Sequence, residues 1–113
     1  MSYDIVELTP DANRIVFGGR LDAPTVSAME LTLTARIKGS GRHALLDLSA
    51  VDFVSSLGIR LLFSLARIVA RQGRKAVLLG IQPTVMQIFE TVSMNQVIPL
   101  AEDEAQALVV VSS

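Results

Sequence analysis

The apolar positions of this chain follow two periods, one of two residues and one of three to four, and their alternation predicts its elements. Ile5, Glu7 and Thr9 alternate with Val6 and Leu8, Asp11-Ala12-Asn13 supplies a polar turn, and Arg14-Ile15-Val16-Phe17 runs to Gly18-Gly19. Two β-rich runs around a short turn predict a hairpin. Next, Val26, Met29, Leu33 and Ile37 recur at helical spacing as far as Gly39-Ser40-Gly41. Asp22 or Thr25 can cap that helix, and Pro24 suits its first turn. Ala44-Leu45-Leu46-Asp47-Leu48 and Ala76-Val77-Leu78-Leu79-Gly80 are unbroken apolar runs of the kind a buried strand needs. Between them, Ser49 to Ser55 reads as a loop, and the longest helix is predicted from about Ser56 to Gln72. Pro83 opens a helix with Val85, Ile88, Phe89 and Val92 on one face. Ile98-Pro99-Leu100 is at best a short edge strand, because proline cannot donate to a ladder. Asp103 to about Val110 is a last helix with acidic residues in its first turn.

The order β-β-α-β-α-β-α-β-α predicts an α/β fold. The expectation is one domain over residues 1–113, with a mixed, mostly parallel sheet of four or five strands. An antiparallel hairpin enters the sheet, and about four helices pack mainly on one side.

The second helix carries the most information. Arg60, Ser64, Arg67 and Arg71 are spaced four, three and four apart, so they form one stripe. At about 100° per residue, Ser56 extends that stripe one turn back from Arg60. Leu57, Ile59, Leu61, Leu62, Phe63, Leu65, Ala66, Ile68 and Val69 make the rest apolar, which predicts a largely buried helix with one narrow polar face. Two serines stand where the loop becomes this helix. The commonest use of serine there is an N-cap. Ser55 is the better placed cap, and Ser56 falls on the face that meets solvent or a partner. The arginine stripe reads by default as a solvated face and could also engage an acidic partner surface.

Half of the 113 residues are hydrophobic, enough for a core without cross-links. There is no cysteine, which excludes disulfides and thiolate metal sites and suits a reducing compartment. Ten Lys and Arg against eleven Asp and Glu leave no electrostatic footprint for nucleic acid. The start lacks the pattern of a signal peptide, and no apolar run reaches the ~18 residues a membrane span needs. A soluble, cytoplasmic protein is expected. His43 is the one possible imidazole base and no Gly-x-Ser-x-Gly elbow occurs, which argues against a serine hydrolase. Asp47 ends a strand as a phosphoacceptor aspartate would, but the early strands are followed by Asn13 and Gly18-Gly19, not by an acidic Mg²⁺ cluster. No metal, cofactor or intrinsic catalysis is expected. His43 reads as a surface residue and Asp47 as a loop-ordering residue near the serines. Met86 and Met94 could add adaptable contact area, with core filling the plainer reading for at least one.

A set of short segments, in order, carries a family resemblance. These are Gly19-Arg20-Leu21-Asp22 before the first helix, Asp47-Leu48-Ser49 at a strand end, and Phe53-Val54-Ser55-Ser56-Leu57-Gly58-Ile59 leading into the second helix. Arg71-Gln72-Gly73, Val77-Leu78-Leu79-Gly80 and Ile98-Pro99-Leu100 follow. Over nearly the whole chain the sequence resembles the STAS domain of bacterial anti-sigma factor antagonists. In that family the second residue of an Asp-Ser pair accepts phosphate, which maps to Ser56. Here Ser55 replaces the Asp and Leu57 replaces a small hydroxylic residue, so Ser55 stays open as the fallback acceptor. The resemblance implies partner switching. The unphosphorylated protein, a monomer when free, binds an anti-sigma factor with serine-kinase activity, so that the sigma factor goes free. Phosphorylation breaks the complex and a serine phosphatase restores it. Partner contacts are expected from Asp22, Ser55, Ser56, Leu57, Gly58, Arg60, Ser64 and Arg67, with no nucleic acid or membrane involved. The alternative within the same fold is a STAS subunit of a transporter, or of a stress-sensing or secretion-regulating complex.

Overall fold

Residues 3–113 are described by the computed structural model. Strands β1 (Tyr3–Thr9) and β2 (Ala12–Leu21) form an antiparallel hairpin with Ile5 opposite Ile15. Then follow α1 (Ala23–Ser40), β3 (His43–Val54), α2 (Ser56–Arg71), β4 (Ala76–Leu79), α3 (Pro83–Thr91), a 3₁₀ turn (Met94–Gln96), β5 (Leu100–Ala101) and α4 (Glu104–Ser112). The five strands lie side by side in chain order, and every pairing after the hairpin is parallel.

Side chains alternate across a strand, so each strand feeds two cores. Ala44, Leu46 and Leu48 of β3 join Ile15 and Phe17 under three helices. There α1 contributes Val26, Met29, Leu33 and Ile37, α2 contributes Leu61, Leu62, Leu65 and Val69, and α3 contributes Val85 and Phe89. Each of these large side chains stabilises the fold by about 1.5–3 kcal/mol when fully buried. On the other face, Leu45, Val77 and Leu79 form a smaller core with Ala12, Ala101 and, from α4, Ala107 and Val111. Three helices therefore cover one face and one covers part of the other.

Several boundaries differ from the sequence reading, each for a physical reason. The turn of the hairpin lies at Pro10-Asp11, and β2 continues through Gly18-Gly19 to Leu21. β3 likewise runs on through Ser49–Val54 instead of forming a loop. Register shifts between Val16 and Gly18 and between Gly19 and Arg20 break the alternation there, which hides a strand from a period-of-two reading. The longest helix is α1, with 18 residues against 16 for α2. The edge strand begins at Leu100, after Pro99, whose carbonyl still accepts from the Leu78 N–H at 2.9 Å.

Candidate functional site

The junction of β3 and α2 is tied to the junction of β2 and α1 through a single carbonyl. The backbone N–H of Ser55 donates to Leu21 O at 2.9 Å, and the Ser55 hydroxyl donates to the same oxygen at 3.1 Å. That hydroxyl also accepts from the Gly58 N–H at 3.3 Å, so Ser55 is the N-cap of α2. Gly58 is buried where α2 meets β2, and a Cβ on it would stand 2.5 Å from Leu21 O and 2.9 Å from Val54 Cγ1. Only glycine allows that approach. Asp22, next to Leu21, caps α1 by accepting from the Thr25 N–H at 3.3 Å, and Arg20 reaches its other oxygen at 3.4 Å. Hydrogen bonds from Thr25, and then Arg20, hold the Asp22 carboxyl below its ordinary value.

Ser56 opens the helix one residue later and is exposed. No described residue bonds its hydroxyl. It stands at the head of a groove of about 500 Å³ that follows α2. Ile59, Phe63 and Ala66 floor this groove, Val97 from the segment before β5 walls it, and Arg60 and Arg67 line it beside Ser56. Val97 is 62% exposed. Leu57 is exposed beside Ser56, whereas Ser64 is half-buried and lies outside the groove. Ile59 and Phe63, read from sequence as core, are half-buried and serve both core and groove. Val97 carries no sequence signal for a site, since only the fold brings it to α2.

A model of the STAS domain matches residues 5–107. The chain belongs to the STAS domain family. It is 26% identical over 89 residues to BtrV of Bordetella bronchiseptica, named as a candidate anti-sigma factor antagonist, covering 79% of this chain and 77% of that one. The fold is similar to the anti-sigma factor antagonist SpoIIAA in its unphosphorylated form, with a TM-score of 0.81, 20% identity and 97% and 96% of the two chains covered. It is also similar to the Bacillus cell fate determinant SpoIIAA in its phosphorylated form, with a TM-score of 0.72, 19% identity and 96% and 98% covered.

The remaining candidates lie elsewhere in this STAS domain. Asp47 is 1% exposed and points to the α4 face, opposite α2. It accepts from Arg14 Nε at 2.9 Å, from Arg14 Nη2, and from the Ser49 N–H at 2.9 Å. Arg14 also reaches Glu104 in the first turn of α4 at 2.6 Å. Burial pushes the Asp47 carboxyl up, but hydrogen bonds from Ser49 and Arg14 outweigh it and leave the group below its ordinary value. His43 is more than a surface residue: it is half-buried and its Nδ1 accepts from the Lys75 N–H at 3.0 Å. Burial, with Arg74 and Lys75 nearby, pushes the imidazole pKa down against the pull of Asp11. Met94 is core, whereas Met86 lines a separate cleft of about 470 Å³ with Ile81, Leu100 and Gln106. Among the described residues no group of three or more His, Asp or Glu is placed to hold a metal ion, and no helix is long and apolar enough to cross a membrane.

Proposed function

We propose that this STAS domain is an anti-sigma factor antagonist acting in the cytoplasm in a partner-switching pathway. Unphosphorylated, it binds an anti-sigma factor that is itself a serine kinase and thereby frees the sigma factor. Phosphorylation of Ser56 breaks the complex, and a serine phosphatase resets it. The chain is ligand and substrate, with no catalytic residue of its own.

The observation that carries this reading is the asymmetry of the serine pair. The Ser55 hydroxyl is spent on Leu21 O and the Gly58 N–H, whereas the Ser56 hydroxyl faces solvent at the head of an apolar groove. A phosphate on Ser56 adds about −1.5 to −2 charges at neutral pH. The N-terminus of α2 and Arg60, one turn on, favour that charge, so the domain keeps its fold. A partner fitted to a hydroxyl must instead desolvate a dianion, at a cost of several kcal/mol. Each ~1.4 kcal/mol is a factor of ten, so a loss of about two orders of magnitude or more in affinity is expected.

The test is phosphosite mapping and binding with the cognate kinase on three variants. Ser56→Ala is expected to bind and resist phosphorylation, Ser55→Ala to be phosphorylated, and Ser56→Asp to melt near wild type yet bind poorly. Stoichiometric phosphorylation of Ser56→Ala, lost in Ser55→Ala, overturns the assignment.

A further inference from the structure

A second groove, of about 360 Å³, lies on the other flank of α2, between that helix and α1. Leu31, Thr34, Ala35 and Lys38 line it from α1 at the i, i+3, i+4, i+7 positions of one helix flank, and Ile68 and Arg71 line it from α2. Gln72 closes one end by donating from Nε2 to the carbonyl of Lys38 at 2.6 Å. The Thr34 hydroxyl is turned inward, donating to Glu30 O at 2.8 Å, so it makes little polar demand on the groove. Leu31 stands at the rim, 85% exposed. One exposed leucine alone is ordinary. Its setting is not.

Charge decides what fits there. Helix α1 carries Arg36 and Lys38 against Glu30, and α2 carries Arg60, Arg67 and Arg71 with no acid. The two helices thus hold a formal +4 in a chain whose total is −1, which leaves −5 for the rest. The ion pairs among the described residues use Arg14, Arg20, Arg42 and Arg74, and none uses a cation of α1 or α2. A concave apolar strip between unpaired cations is complementary to an apolar ridge flanked by carboxylates.

We infer that the α1–α2 groove is a docking site for an acidic amphipathic helix of a partner protein, separate from the Ser56 groove and independent of its phosphorylation. A second copy of this chain is disfavoured, because face-to-face contact would oppose two faces of formal charge +4. A lipid surface is disfavoured as well, since insertion needs a protruding apolar face and here only Leu31 projects from a hollow.

The experiment is selection of helical peptides from an unbiased displayed library on the intact protein, with ¹⁵N amide shifts to locate the binding. Enriched peptides are expected to carry apolar residues at i, i+3 or i+4, and i+7 flanked by Glu and Asp. They should shift Leu31, Ala35 and Ile68, weaken with added salt, and bind at least about tenfold more weakly to Leu31→Glu. Leu31 is exposed, so that variant should fold, and Arg71→Glu provides a second substitution within the groove. The inference is overturned by enrichment of basic peptides, by equal binding to Leu31→Glu, by shifts confined to the Ser56 groove, or by no enrichment. Leu31-dependent self-association in sedimentation, or binding to anionic vesicles in place of peptide, overturns it too.

Discussion

On the α4 face of the sheet a cation sits between two carboxylates. Arg14 is shared by Asp47, which is almost fully buried and 33 residues further along, and Glu104, 90 residues further along. On the α1–α2 face four cations, Lys38, Arg60, Arg67 and Arg71, line two apolar grooves with no carboxylate paired to them among the described residues. A buried carboxylate must be paired to be tolerated, so the first arrangement belongs to the fold. Unpaired surface cations cost the fold little and remain available to an outside partner. The same residue type thus has two uses in one small domain, and its pairing distinguishes them.

The sharpest way to break this contrast is Asp47→Ala. It strips half-buried Arg14 of its main partner and leaves the Ser49 N–H without an acceptor. A loss of about 2–3 kcal/mol in urea unfolding at pH 7 is expected, below the full cost of breaking a completely buried pair because Arg14 is partly exposed. The folded Asp47 carboxyl lies below its ordinary value, so its contribution is present above pH ~4 and is lost as pH falls through the folded value. The deficit of the variant should therefore shrink in acid. A loss under ~0.5 kcal/mol would mean that pairing is not what divides the two faces.

Ser55→Ala comes next. Losing an N-cap costs about 1 kcal/mol, and here the Leu21 carbonyl loses one of its two donors as well. Thermal melts should show the loss while Ser56 is still phosphorylated. Abolished phosphorylation in a well-folded variant would show that the two serines are not divided into cap and acceptor.

Arg60→Gln and Arg67→Gln probe the other side of the contrast. Stability should move by no more than about 0.5 kcal/mol for each. Affinity for the kinase partner should fall by up to about tenfold at low salt, with less difference at high salt. Unchanged binding at low salt would return the stripe to a plain solvated face.

The smallest effect concerns His43. Its folded pKa is lowered, so the unfolded chain takes up a proton first, near pH 6.5. Stability is full above that pH and falls as pH drops toward and through the folded value. Melting temperature should decline modestly from pH 7.5 to 5.5. In His43→Asn, which keeps a side-chain acceptor for the Lys75 N–H without a titrating ring, the decline should flatten. An equal slope in both proteins would place the titration elsewhere.

What could be read from sequence were features with a regular period or a local mechanism. The helix stripe set Ser56 apart from Ser55, and the apolar runs at Ala44 and Ala76 located the central strands. Features that depend on tertiary approach were not legible. Gly58, expected from the family resemblance among the partner contacts, lies buried where α2 meets Leu21 O, and that packing role is invisible in the sequence. Val97 joins the Ser56 groove from the segment before β5, and Glu104 meets Arg14 across 90 residues. Gly18 and Gly19 suggested a strand end because the bulges there interrupt alternation, whereas the ladder with β3 continues past them. Leu31 lies off the apolar face that Val26, Met29, Leu33 and Ile37 give α1, so it gives no sign of a groove until α2 lies beside it.

The strand order β1-β2-β3-β4-β5 also has a meaning in time. A ribosome delivers this chain from its N-terminus, and each strand that emerges finds its sheet neighbour already made. Pairings of low sequence separation close small loops and form quickly. By Arg71 the chain contains three strands and both helices that carry the serines and the cations. The α4 face is different: Arg14 and Asp47 wait for Glu104, almost the last segment to appear. Most of the proposed recognition surface is thus made early in synthesis, Val97 completes the Ser56 groove later, and the clamp on the opposite face closes at the end.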